Sequence, residues 1–185
     1  MLKKLFLFFA LFQQTILAEG IAKAELPDVT VNDINGKPVN IRSYVGNVLL
    51  VANTASKCGF TYQYKDLETL HRQYTGKGFS VLGFPSNDFN QEAGSNDEIK
   101  NFCSSKFNVS FPLFEKNPVS GENKQPLFRF LTEQSDEKLK GEVSWNFEKF
   151  VIDKKGKVRA RFGSYVNPMS KKIVSLIEEL LSENP

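Results

Sequence analysis

The chain has 185 residues, 41% of them hydrophobic, and a formal net charge of +3. That length suits one domain with a core of its own. Two cysteines and a single histidine leave too few ligands for a metal site, so no metal and no cofactor are expected.

Met1-Leu-Lys3-Lys4 is a basic start, Leu5 to Phe12 is wholly apolar, and Ala22-Lys23-Ala24 offers the small residues an export peptidase reads. This pattern predicts a secretory signal over residues 1–24, cut before Glu19 or Glu25, with the Ala-x-Ala spacing favouring Glu25. The alternative is an uncleaved membrane anchor, but the apolar run is well short of the roughly 20 residues that span a bilayer. Cleavage before Glu25 leaves 161 residues, 25–185, as a single domain. It removes Lys3, Lys4 and Lys23 against Glu19, so the net charge falls from +3 to +1. The basic charge thus belongs largely to the leader, and no electrostatic case remains for nucleic acid or an anionic membrane. An exported protein is expected, in a Gram-negative periplasm for a signal this short.

In the remaining chain, Leu26–Val31 and Val39–Ile41 flank Asn35-Gly36, a turn dipeptide, and predict an N-terminal hairpin. A buried strand follows at about Val48–Thr54, then a helix from about Gln63 to Tyr74, ended by Gly76 and Gly78. Phe79–Phe84 reads as the next strand, stopped by Pro85. Ser95-Asn-Asp-Glu98 has the form of a capping box and opens a helix with Ile99, Phe102 and Cys103 on one face. Phe111–Phe114 is a short extended piece. Pro126 starts a further helix with Leu127, Phe128, Phe130 and Leu131 as its apolar residues. Phe150–Ile152 and Val158–Phe162 form a hairpin across Lys154–Lys157, and Ile173, Leu176, Ile177, Leu180 and Leu181 mark a last amphipathic helix. This order argues for an α/β fold, a central sheet with helices on both faces.

Cys58 falls in the turn between the first core strand and the helix after it. There, backbone N–H groups, the helix dipole and the neighbouring Lys57 favour a thiolate, the form that attacks peroxides and disulfides. The competing reading is a structural Cys58–Cys103 disulfide, since an even cysteine count in an exported chain usually means one.

Four blocks decide between these readings. Ala55-Ser-Lys-Cys58-Gly-Phe-Thr61, Gly83-Phe-Pro85-x-Asn87-x-Phe89, Gln91-Glu92-x-Gly94-Ser95-Asn96 and Trp145-Asn146-Phe147 resemble, in order, the signature blocks of the glutathione peroxidase family. The resemblance implies a thioredoxin-like fold and a catalytic tetrad of Cys58, Gln91, Trp145 and Asn146. The residue types suit the chemistry: indole and amide N–H groups are uncharged donors that stabilise a thiolate and receive charge as an O–O bond breaks. Taken singly, Trp145 would be a core residue, Asn146 a turn residue and Gln91 one more polar loop residue. His71 is expected at the surface or its boundary, away from the chemistry. Two departures stand out. Ser86 replaces a cysteine common in the family, and the link Phe89-Asn90-Gln91 is one residue short, with Ala93 where proline is usual.

The segment Asn101-Phe-Cys103-Ser-Ser-Lys-Phe107-x-Val109-x-Phe111-Pro112 is similar to the resolving-cysteine segment of the family's thioredoxin-dependent branch. The implied activity is reduction of hydrogen peroxide and organic or lipid hydroperoxides through a Cys58 sulfenic acid. Condensation with Cys103 would give a disulfide, recycled by a thioredoxin-like protein reductant. A packing role for Cys103 beside Ile99 and Phe102 remains open, as does glutathione as the donor in a one-cysteine cycle. Rival functions are a peroxide sensor or redox relay, and a binding module with a static disulfide. The short stretch between Asn123 and Trp145 favours a monomer, because tetrameric members carry an insertion near there.

Overall fold

The computed structural model describes residues 26–184; the expected leader lies outside them. A two-stranded antiparallel hairpin, β1 (Thr30–Asn32) and β2 (Pro38–Asn40), precedes a four-stranded sheet. The sheet contains β3 (Val48–Thr54), β4 (Phe79–Pro85), β5 (Lys149–Ile152) and β6 (Val158–Phe162), in the order β4-β3-β5-β6. β3 runs parallel to β4 and antiparallel to β5, which pairs antiparallel with β6. The helices are α1 (Gln63–Tyr74), α2 (Asn96–Phe107), α3 (Pro126–Arg129), which continues into a π turn at Phe130–Gln134, and α4 (Lys171–Ser182).

β3 explains the architecture. Its seven residues are all buried, because helices cover both faces of the sheet and a continuous apolar run satisfies both. Val48, Leu50 and Ala52 point to the face covered by α1, α2 and α4. Leu49 and Val51 point to the face covered by the hairpin, α3 and the π turn. Alternation of side chains along a strand makes this division automatic. Ser95 accepts from the Glu98 backbone while the Glu98 carboxylate accepts from the Ser95 N–H, so the predicted capping box fixes the start of α2. β4 ends at Pro85, one residue beyond the expected bound.

His71 is not at the surface. It is buried on α1, with Nδ1 accepting the Val81 N–H at 3.3 Å and its ring edge-on to Phe111. Burial pushes its pKa down. A histidine can face a core when one ring nitrogen takes a backbone partner, and helical spacing from Leu67 and Leu70 already placed it near that face. Among the described residues no helix is long and apolar enough to cross a membrane.

Candidate active site

The site is assembled where β3 ends and β5 begins, neighbours in the sheet. Cys58 lies four residues beyond the end of β3, in the turn before α1, and only 9% of it is exposed. Thr61 shapes this turn: its hydroxyl donates to Ala55 O at 2.9 Å and accepts the Cys58 N–H at 3.0 Å. The Phe60 N–H then faces the sulfur, at 3.4 Å from Cys58 Sγ.

The shortened link delivers Gln91 to this turn. Asn90 adopts a left-handed conformation, φ 57°, and its N–H closes a turn onto Asn87 O. Asparagine tolerates that conformation better than most residues, and so can serve in place of a glycine link. Ser86, in the place of the missing thiol, accepts the Asp88 N–H at 3.3 Å and helps to form the bend. Gln91 O accepts the Lys57 N–H at 3.0 Å, which joins the two loops beside Cys58. Gln91 Oε1 accepts from Asn146 Nδ2 at 2.8 Å, so these two amides are in direct contact. Asn146 is fully buried, and its Oδ1 has no hydrogen-bond partner among the described residues. Trp145 is 41% exposed, tilted against Phe89 with ring centroids 5.4 Å apart. It is not a core tryptophan.

Residues outside the predicted set hold this arrangement. Asn53, fully buried in β3, grips the Trp145–Glu148 turn from both sides. Its Nδ2 donates to Trp145 O at 3.0 Å and its Oδ1 accepts the Glu148 N–H at 3.0 Å. Its backbone carbonyl accepts the Phe147 N–H at 2.7 Å. The grip keeps Phe147 at φ 63°, a costly conformation for an aromatic residue, and a means of turning Trp145 and Asn146 outward at the head of β5. Glu148 braces the turn below. It accepts from Ser144 N and Oγ and pairs with Arg161, whose guanidinium also donates to the Gly141 and Glu142 carbonyls.

Glu92 is buried beside Gln91 and accepts from Ser56 Oγ at 2.9 Å; burial pushes its carboxyl up against the pull of that hydrogen bond. Lys149, the residue after Glu148, is buried under the first turn of α1. Its Nζ donates to Gln63 Oε1 at 2.8 Å, and Gln63 in turn donates to Ser164 O. Burial lowers its pKa to about 7. Sequence offered one signal for this group: Asn53 is the lone amide in β3, right after the apolar run Val48–Ala52.

Cys103 is fully buried on the inward face of α2 and both cysteines are free thiols. Burial pushes the Cys103 thiol up to about 11. Cys58 and Cys103 belong to one hydrophobic cluster, with Tyr64, Ile99 and Phe147. Among the described residues, no group of three or more His, Cys, Asp or Glu side chains is placed to hold a metal.

The family model for glutathione peroxidase matches residues 26–132. The hydroperoxy fatty acid reductase gpx1 of a Synechocystis strain is 48% identical over 159 residues, 82% of this chain and 93% of that protein. The glutathione peroxidase-like peroxiredoxin HYR1 of Saccharomyces cerevisiae is 46% identical over 154 residues, again 82% and 93%. Among solved structures, Trgpx in its apo form superposes with a TM-score of 0.67 at 35% identity, covering 88% of this chain and 99% of that one. A thioredoxin family thiol:disulfide interchange protein from Chlorobium tepidum superposes at 0.63 with 21% identity over 84% and 94%, a likeness of fold. The fold is therefore thioredoxin-like, and the chain is a thiol peroxidase acting on hydroperoxides. The chain belongs to the glutathione peroxidase family, and its likeness to glutathione peroxidase-like peroxiredoxins supports a place in the thioredoxin-dependent branch.

Proposed function

We propose that this peroxidase works by a two-cysteine cycle. The Cys58 thiolate attacks the terminal oxygen of a hydroperoxide; the O–O bond breaks, and water or an alcohol leaves. Trp145, Gln91 and Asn146 supply the donors that stabilise the thiolate and the departing oxygen. Cys103 then attacks the sulfenic sulfur, forming an S–S bond and releasing water. A thioredoxin-type dithiol reduces that disulfide and is itself oxidised. The observation that carries this reading is the junction at Cys58: a backbone N–H on its sulfur, with the hydrogen-bonded Gln91–Asn146 pair held to the same turn.

Cys103 faces inward, and a disulfide needs Cα atoms within about 7 Å. The reading includes local unwinding of α2 from near Asn96 once Cys58 is oxidised, which would turn the inward-facing Cys103 toward Cys58. Amide exchange of α2 that is the same in reduced and oxidised protein would rule this out. Tyr62, Trp145 and Tyr165 are 55%, 41% and 89% exposed, and Tyr165 sits edge-on to Phe60, two residues from Cys58. This apolar rim suits bulky organic and lipid hydroperoxides as well as hydrogen peroxide. The leader pattern supports export to the periplasm, with a reducing partner there, and the short segment before Trp145 supports a monomer.

The deciding experiment follows NADPH consumption with hydrogen peroxide, using thioredoxin and its reductase in parallel with glutathione and its reductase. Turnover with thioredoxin that Cys103→Ser abolishes is expected. Activity with glutathione that survives Cys103→Ser would overturn the cycle and return Cys103 to a packing role.

A further inference from the structure

The loop that carries Gln91 brings a second group to the Cys58 turn. Glu92 is 2% exposed, and its carboxylate accepts from Ser56 Oγ at 2.9 Å. Its backbone N–H donates to Asn87 Oδ1 at 2.9 Å, and Gln91 O accepts the Lys57 N–H at 3.0 Å. These bonds fix Glu92 to the residues just before Cys58, so it keeps its place when α2 moves. A cavity of about 190 Å³ lies against it, walled by Ser56 and Lys57 of the Cys58 turn and by Glu98, Ile99 and Phe102 of α2. Phe102 precedes Cys103, and Ile99 lies one turn before it. The gap between the Cys58 turn and the resolving helix thus has a carboxylate in its wall.

Packing does not need a carboxylate there. Glutamine would keep the Ser56 hydrogen bond and avoid burying a charge. What the carboxylate adds is the capacity to take and give a proton, and the resolving step needs both. The Cys103 thiol, pushed up to about 11 by burial, must lose its proton to become a nucleophile. The sulfenic hydroxyl must gain one, because hydroxide is a poor leaving group. Of the other groups around the gap, Lys57 is a cation, and Gln91 and Asn146 are amides that do not titrate. Glu98 is committed to the capping box, where it accepts the Ser95 N–H at 2.7 Å. Burial pushes the Glu92 carboxyl up, against the pull of Ser56, Lys116 and Lys57, in the direction that suits proton exchange near neutral pH. Its charge also reaches the Cys103 thiol and the Tyr64 hydroxyl, and raises both.

We propose that Glu92 is the proton carrier of the resolving step. Its carboxylate takes the S–H proton of Cys103 as that sulfur attacks the sulfenic sulfur of Cys58. The S–S bond forms, the S–O bond breaks with its electron pair on oxygen, and Glu92 hands the proton to that oxygen to make water. The oxidant is the hydroperoxide already spent on Cys58. The inference rests on the two-cysteine cycle above.

The test separates the two chemical steps and follows each against pH. Reduced full-length wild type, Glu92→Gln and Ser56→Ala are mixed with hydrogen peroxide and quenched at intervals. Dimedone traps the sulfenic acid, and the intramolecular disulfide is read by mass. Disulfide formation at neutral pH should slow by about 100-fold in Glu92→Gln. In wild type its rate should climb with pH until the carboxylate is ionised and then level off. In Glu92→Gln it should keep climbing, as hydroxide replaces the missing base. Ser56→Ala removes a hydrogen bond that holds the carboxyl down, so the levelling should move to higher pH. A merely structural role would lower the rate at every pH and leave the shape of the profile unchanged. A Glu92→Gln disulfide rate equal to wild type would overturn the proposal. So would a fall matched by the same fall in sulfenic acid formation, which would mean that Glu92 only holds Gln91 in place. Absence of the disulfide in wild type would overturn the two-cysteine cycle itself, a result distinct from a disulfide that forms equally fast in both proteins.

Discussion

Asn53→Ala tests whether the Trp145–Asn146 pair is held from β3. The substitution removes both side-chain hydrogen bonds of Asn53, to Trp145 O and from the Glu148 N–H. Each such bond contributes about 1 kcal/mol net, and a buried N–H left without a partner costs about 1–3 kcal/mol more. The expected loss of stability is therefore about 3 kcal/mol, a large part of a typical domain's total. Function should suffer further, because Phe147 would no longer be held at φ 63° and the turn would relax. A catalytic group misplaced by about 1 Å costs on the order of 100-fold. Peroxide kcat/KM should fall by about 10- to 100-fold, while in the proposed cycle the second-order rate with the reductant, whose target would be the disulfide, changes little. Trp145 is the only tryptophan, so its fluorescence reports directly on the turn. Its emission maximum should shift to the red as the indole loses its packing on Phe89. A variant with the wild-type urea midpoint, emission spectrum and peroxide rate would refute the argument.

Lys149→Met should alter the pH dependence of stability. The folded-state pKa of Lys149, about 7, lies below the ordinary 10.5, so between those values the unfolded chain binds the extra proton and stability rises with pH. Wild type should gain about 2 kcal/mol from pH 7 to pH 9 relative to Lys149→Met. Parallel urea-derived profiles would contradict it. Gly83→Ala should destabilise the fold by about 1–3 kcal/mol, through overpacking. A Cβ there would lie 2.8 Å from Leu113 Cδ2 and 2.9 Å from Phe111 Cε2, in the strip bridged to β4. An unchanged melting temperature would show that this strip yields freely.

Most elements were legible because each carried a local signal. The run at β3, the capping box of α2 and the apolar stripe of α4 follow from period and capping alone; the bounds of β3 and the start of α2 agree with the structure, and the stripe lies within α4. Sheet order was not legible, since pairing of β3 with β5 joins segments about 100 residues apart. At the site, family likeness pointed to Gln91 and Asn146, and the structure places them in contact. It could not show that Asn90 would take a left-handed conformation to close the shortened link. Lys149 and Glu92 were missed because charge in a sequence reads as surface, whereas each is buried here with a specific partner. His71 was misread for the same reason.

The two thiols differ in burial in a way that would order the proposed cycle, and alkylation can measure it. Cys58 reaches solvent through 9% of its surface, at a turn outside regular structure. Cys103 has no exposed surface and, with its pKa raised to about 11, is ionised in about one molecule in 10⁴ at pH 7. In the proposed cycle this difference would let peroxide meet Cys58 first and spare Cys103 direct oxidation. Reduced protein treated with iodoacetamide at pH 7 should take up one label per chain quickly, at Cys58. The second label should appear only at the rate at which α2 opens, and should become fast in denaturing urea. Locking α2 by a more helical surface, for example Ser105→Ala on its exposed side, should slow the second label and leave the first unchanged. Equal labelling of both thiols in the native protein would mean that Cys103 is not stored, and the separation of the two steps would fail with it.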